Sequence, residues 1–268
     1  MIPIKDNIPT LRFPVVTVVL IAINIAVFVW QATLSTAPDS STSPHISGLS
    51  QSDEVTLEYG AIPYRLTHPG KECGVAGQHV VCQGQSGYAS ATKLDSPPWW
   101  TTIFTSMFMH GGILHIAFNM LFLWIFGNNI EDSMGRPRFI LFYLLGGIVA
   151  AYTQALLSAS STVPAIGASG AIAGVLGGYL LLYPRARVLT VVLIILFVTI
   201  IEIPAAILLA VWFALQFLPA LGQVTTTVGG GEGIAYWAHV GGFVFGLSAI
   251  KLFASRRGAK ELGPPGLA

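Results

Sequence analysis

Six stretches of the chain hold almost nothing but apolar side chains, at roughly 14–34, 113–130, 139–157, 168–184, 203–220 and 235–254. A helix rises about 1.5 Å per residue, and a hydrocarbon core about 30 Å thick needs about 20 apolar residues. The pattern therefore predicts six membrane-spanning helices in an all-α membrane bundle. Between the first two spans lies a long polar insert, 35–98, rich in Ser, Thr, Gly and Pro. Its first part, 35–52, reads as a flexible linker. Its later part, 53–92, carries Tyr, Val, Leu and both cysteines, and reads as a small ordered lobe. The segment 188–220 is too long for one simple span. Its β-branched first half, Val188 to Ile201, is followed by Glu202 and Pro204. It reads as an irregular or interfacial stretch leading into a helix that begins near Ile203.

Composition strengthens the membrane reading. The chain is 53% hydrophobic and 9% charged, against about 25% charged in a typical soluble domain. The formal net charge of +1 gives no field that would attract nucleic acid. The first apolar run is long enough to be a retained span rather than a cleaved signal. Basic residues then orient the spans. Ten of the 13 Lys and Arg fall before helix one, between helices two and three, between helices four and five, or at the end of the chain. The loops 158–167 and 221–234 have none. The positive-inside rule puts both termini in the cytoplasm and the insert outside a plasma membrane. The expected order is a cytoplasmic segment 1–13, a span 14–34, an extracytoplasmic insert 35–98, a helical core 99–254 and a cytoplasmic tail 255–268.

Three polar residues then share a depth. Ser169 lies 16 residues before Arg185, His239 lies 17 before Arg256, and Asn119 lies 17 before Arg136. All three spans run inward, so each residue sits roughly 25 Å from the inner surface, in the outer half of the membrane. Polar groups at that depth are expensive and point to function. Taken singly, each has a plainer reading as helix–helix glue or an interfacial anchor. His115 and Asn119 are four residues apart and share one helix face, level with Ser169 and His239.

Those types suit acyl transfer. A serine hydroxyl becomes a nucleophile when a base takes its proton, and neutral imidazole does so near pH 7. Donors must also meet the developing oxyanion. His115, Asn119 and the Ser169 amide at a helix N-terminus are the candidates. No Asp or Glu lies at matching depth on a helix, so a Ser169–His239 dyad is expected. Gly170, Gly174 and Gly178 recur every fourth residue on one span, and Gly242 and Gly246 on another, a pattern that lets two helices approach closely. Cys73 and Cys82 are disulfide candidates if the insert is outside; the plainer reading is two free thiols. Their spacing, with only His79 between them, does not suit zinc.

The motifs His110-Gly-Gly-Ile-Leu-His115-Ile-Ala-Phe-Asn119, Gly127-Asn-Asn-Ile-Glu131-Asp-Ser-Met-Gly135, Gly167-Ala-Ser169-Gly170 and Ala238-His239-Val-Gly-Gly242, with Gly246, follow one another over about 97–254. In that order they resemble the rhomboid family of intramembrane serine proteases. The resemblance implies a six-helix core, a Ser169–His239 dyad, and oxyanion contacts from His115, Asn119 and the Ser169 amide. It implies that His110 is a structural histidine of the first loop. Phe118 and Trp212 resemble aromatics of a lateral substrate gate between helices two and five. Single-span transmembrane proteins within the lipid bilayer would be the substrates, with no metal or organic cofactor. Two features depart from the family pattern. Trp99-Trp100 is followed by Thr101 where many members have Trp-Arg. Ala173 stands where some members have an aromatic that supports the histidine, so another residue must hold the ring. A non-catalytic rhomboid-like binder of membrane clients is the alternative. A small transporter is disfavoured by the lack of a half-to-half repeat or a mid-membrane acid network.

Overall fold

The computed structural model describes residues 1–36, 46, 49–77, 79–194, 197–225 and 234–255. Most of the predicted linker 35–52 and nearly all of the tail 255–268, with Arg256, Arg257 and Lys260, lie outside them.

Helices dominate the described residues. α1 (Val15–Thr36) is followed by two short helices of the insert, α2 (Gln51–Tyr59) and α3 (Pro63–Thr67). α4 (Thr101–Ser106) leads to α5 (Ile113–Phe122), which continues through a π-helical turn, Leu123–Gly127, into α6 (Asn128–Met134). Then come α7 (Arg136–Leu157), α8 (Ser169–Leu182), α9 (Ala205–Thr225) and α10 (Tyr236–Phe253). Among the described residues, four stretches are long and apolar enough to cross a membrane: Val15–Leu34, Ile113–Met134, Arg136–Leu157 and Ala205–Gly222. The apolar helix α8 is shorter, at 14 residues.

The all-α expectation is corrected by two small sheets. Strands β1 (Ile2–Asp6), β5 (Arg187–Ile194) and β6 (Phe197–Pro204) form one, in the order β1-β5-β6. In the other, β2 (Cys73–Ala76) lies between β3 (His79–Cys82) and β4 (Thr92–Lys93). The segment expected to be irregular is thus a regular antiparallel hairpin, and the helix after it starts at Ala205. β-Branched side chains are stiff in helices and fit a pleated surface. Val188 and Thr190 of β5 are fully buried, and Arg187 pairs with Glu202 across the hairpin base at 3.1 Å. The third strand comes from the N-terminus, whose pairing no local pattern could announce.

The core forms where α8 and α10 meet. An added Cβ at Gly242 would fall on the Gly170 carbonyl, and one at Gly246 on the Gly174 carbonyl. The two backbones are therefore in direct contact along the glycine stripes. α7 packs beside both, and Phe142 and Tyr143 of that helix are fully buried.

The insert's lobe is folded onto this bundle. Cys73 and Cys82 face each other in the β2–β3 register and form a disulfide. The lobe then clasps the loop before α8: Ala61 N–H donates to Ala165 O at 3.1 Å, and Ala165 N–H returns to Ala61 O at 2.9 Å. Tyr64 N–H donates to Ser161 O at 3.0 Å.

Candidate active site

The loop into α8 makes its last turn at Gly167, with φ +117°, a region an L side chain rarely enters. Its N–H donates to Ser106 O at 2.8 Å. A Cβ here would also lie 2.7 Å from His115 Nε2 and 3.6 Å from Ser169 Oγ. Glycine therefore permits both the turn and the approach of the His115 ring to the serine. Ser169 is the first residue of α8, and Ala168 at the N-cap offers no side-chain acceptor to the first-turn amides.

His239 arrives from α10, one turn below Tyr236. The start of that helix is held by Gln154 of α7, whose Oε1 accepts from Ala238 N–H at 3.2 Å. The contact of Gly170 with Gly242 draws the two helix starts together. His239 Nε2 lies 2.7 Å from Ser169 Oγ, and His239 Nδ1 lies 2.8 Å from Oε1 of Gln216 on α9. The Trp212 ring sits 5.9 Å from the imidazole, and Tyr236 meets it edge-on at 6.5 Å.

α5 supplies the remaining polar groups. Asn119 is buried, and its Nδ2 has no hydrogen-bond partner among the described residues. His115 Nδ1 faces Gly111 N–H at 3.5 Å. His110 is buried against His115 edge-on, with ring centroids 5.1 Å apart, and its backbone N–H donates to Gln31 Oε1 of α1. The ring contact between α5 and α9 is Phe122 with Trp212, at 6.5 Å. Phe118, one turn earlier, is 42% exposed. Glu131 lies far from this cluster. It accepts from Val16 N–H, Thr17 N–H and Thr17 Oγ1 at 3.1, 2.8 and 2.9 Å, capping the start of α1.

Two residues of the cluster are not among those the sequence pattern singles out, Gln216 and Phe122. Gln216 carries a usable signal. Counted along the span expected to begin near Ile203, it falls 13 residues in, hence roughly 20 Å from that span's expected cytoplasmic end, close to the depth expected of Ser169. The expectation of a bare dyad considers only Asp and Glu as partners of the base, whereas an amide oxygen is an acceptor too. Phe122 carries no signal that distinguishes it from Phe118.

The Rhomboid domain family profile matches residues 97–256, more than half of the chain. The chain belongs to the rhomboid family. It is a multi-pass membrane protein of that family. Among its relatives, the Rhomboid protease GluP of Bacillus subtilis (strain 168) is 43% identical over 82 residues, covering 31% of this chain and 15% of GluP. The Presenilin-associated rhomboid-like protein A, mitochondrial, of Danio rerio is 30% identical over 144 residues, covering 53% of this chain and 34% of that protein. The Putative rhomboid protease YdcA of Bacillus subtilis (strain 168) is 35% identical over 82 residues, covering 31% of this chain and 40% of YdcA. The matched regions thus span less than half the length of each of these relatives.

Proposed function

We propose that this rhomboid is an intramembrane serine endopeptidase that cuts single-span membrane proteins near the outer end of their helix. The observation that carries the reading is the 2.7 Å approach of His239 Nε2 to Ser169 Oγ. It is made at the starts of two apolar helices, and Asn119 on α5 keeps a buried Nδ2 with no partner among the described residues. In the proposed reaction Ser169 Oγ attacks the scissile carbonyl while His239 Nε2 takes its proton. The oxyanion of the tetrahedral intermediate accepts from Asn119 Nδ2, the Ser169 amide and His115. His239 returns the proton to the leaving amine, which departs with one half of the substrate. Water, deprotonated by the same imidazole, then releases the acyl group and restores Ser169.

The same reading sets the topology. Six spans cross a plasma membrane, both termini are cytoplasmic and the disulfide lobe is outside, where water reaches Ser169. The glycine contacts of α8 and α10 hold the dyad, and Phe118 and Trp212 border substrate entry between α5 and α9. The test is cleavage of a single-span substrate by the full chain in proteoliposomes, with Ser169 labelling by a fluorophosphonate alongside. Wild type is expected to cleave and to label. Ser169→Ala and His239→Ala are expected to do neither while staying folded. Cleavage retained in either variant overturns the dyad.

A further inference from the structure

The imidazole of His239 needs its proton on Nδ1 if Nε2 is to accept from Ser169, and the dyad itself does nothing to choose between the tautomers. We infer that Gln216 makes this choice, as a positioning residue for the general base. The inference rests on the proposed hydrolytic reading and deepens it.

Donors and acceptors along the chain of contacts decide the tautomer. Gln216 Nε2 lies 3.5 Å from the Trp212 carbonyl, one turn back on its own helix. A carbonyl only accepts, so the NH₂ end of the amide faces it. The remaining end is Oε1, which also only accepts, and it lies 2.8 Å from His239 Nδ1. With the amide so oriented, the proton belongs on Nδ1, and this is the tautomer the inference assigns. Nε2 is left with its lone pair toward Ser169 Oγ at 2.7 Å. The chain runs Ser169 O–H to Nε2 and Nδ1–H to Gln216, the polarity that base catalysis requires. In soluble serine hydrolases a buried carboxylate does this work. A neutral amide performs the orienting part without placing a bare charge at membrane depth.

Gln216 also ties the base to α9. That helix carries Trp212, which flanks the His239 ring and meets Phe122 of α5. The helix that borders the α5–α9 opening thus also holds the acceptor that sets the base. A shift of α9 away from α10 would release the imidazole.

Gln216→Leu removes the acceptor at similar volume, and Gln216→Glu keeps an acceptor at the same reach. Each is measured in the full chain in proteoliposomes. Gln216→Leu is expected to lower kcat by about 10- to 100-fold, with KM within about two-fold of wild type. The fluorophosphonate labelling rate at Ser169 should fall in step. Gln216→Glu is expected to retain clearly more activity than Gln216→Leu. In ¹⁵N-histidine spectra, the signal absent from His239→Asn should report an Nδ1–H tautomer in wild type and a changed one in Gln216→Leu. The idea is overturned by an Nε2–H tautomer in wild type, by a kcat of Gln216→Leu within two-fold of wild type, or by equal losses in the Leu and Glu variants. The spectra decide the tautomer even if Ser169→Ala shows that the chain does not hydrolyse peptides, so the two readings fail separately.

Discussion

Two polar clusters sit inside this apolar bundle, one around Glu131 and Asp6 and one around Ser169 and His239, and they differ in how their key groups are matched. In the first the acids are supplied with donors, although Asn129 Oδ1 has no partner among the described residues. Glu131 accepts three hydrogen bonds from the start of α1, and Asp132 accepts from Leu11 N–H at 2.7 Å. Asp6 accepts from Asn129 Nδ2 and Tyr179 Oη. These bonds tie the N-terminal strand and α1 to α6 and α8. In the second the chain from Ser169 through His239 to Gln216 is complete, yet Asn119 is buried with an Nδ2 that has no partner among the described residues. A buried donor without an acceptor is destabilising, by about 1–3 kcal/mol. It is retained to advantage where negative charge develops only during a reaction. The carboxylates, each met by donors, read as architecture, and the unmatched donor of Asn119 as chemistry.

That contrast rests most heavily on the unmatched donor, so its removal is the strongest test. Asn119→Ala is expected to lower kcat by about 10²- to 10³-fold, or about 3–4 kcal/mol of transition-state stabilisation. Thermal stability in detergent should stay at or slightly above that of wild type, because the variant removes a buried Nδ2 that has no partner among the described residues. Steady-state cleavage and thermal unfolding of the same preparation check both halves. A large loss of stability with turnover per folded molecule intact would make Asn119 architectural and erase the distinction.

Glu131 should behave in the opposite way. Glu131→Leu strands two backbone N–H groups and the Thr17 hydroxyl, so stability is expected to fall by about 2–4 kcal/mol. Glu131→Gln, which keeps a carbonyl acceptor, should lose about half of that. Turnover per folded molecule should stay near wild type in both. Comparing unfolding midpoints with active-site titration by fluorophosphonate separates the two effects. A drop in turnover at constant folded fraction would bring Glu131 into the chemistry.

The two clusters are unequally legible in the sequence. Ser169, His239 and Asn119 can be placed at one depth because helical rise converts residue count into distance, and basic residues mark where to start counting. The glycine stripes announce the α8–α10 contact because a four-residue period has one meaning on a helix. Gln216 is hidden from a reading that looks for charge, whereas the bond to Nδ1 needs only an acceptor. The hairpin of β5 and β6 shows its β-branched composition but not its fold, since the pairing that completes its sheet comes from Ile2–Asp6, at the far end of the sequence. The clasp between Ala61 and Ala165 is also remote in sequence and leaves no local mark.

Asp6 offers the mildest perturbation, and it tests how fully the acids of the first cluster are matched. Burial pushes the Asp6 carboxyl up to about 6 from 3.8, against the opposing pull of its hydrogen bonds from Tyr179 and Asn129. The folded state therefore holds a proton that the unfolded chain releases between about pH 4 and pH 6. Stability falls as pH rises through that window, and the deficit persists above it. Asp6→Asn keeps one acceptor oxygen for Asn129 and Tyr179 and cannot ionise. The variant should thus gain on wild type by about 1–3 kcal/mol between pH 4 and pH 7, since a tenfold change in proton affinity is worth about 1.4 kcal/mol. Thermal unfolding of both proteins across that range gives the difference directly. A difference that is flat with pH would mean that the donors around Asp6 already offset its burial. Asp6 would then be as fully matched as Glu131, and the contrast with Asn119 wider still.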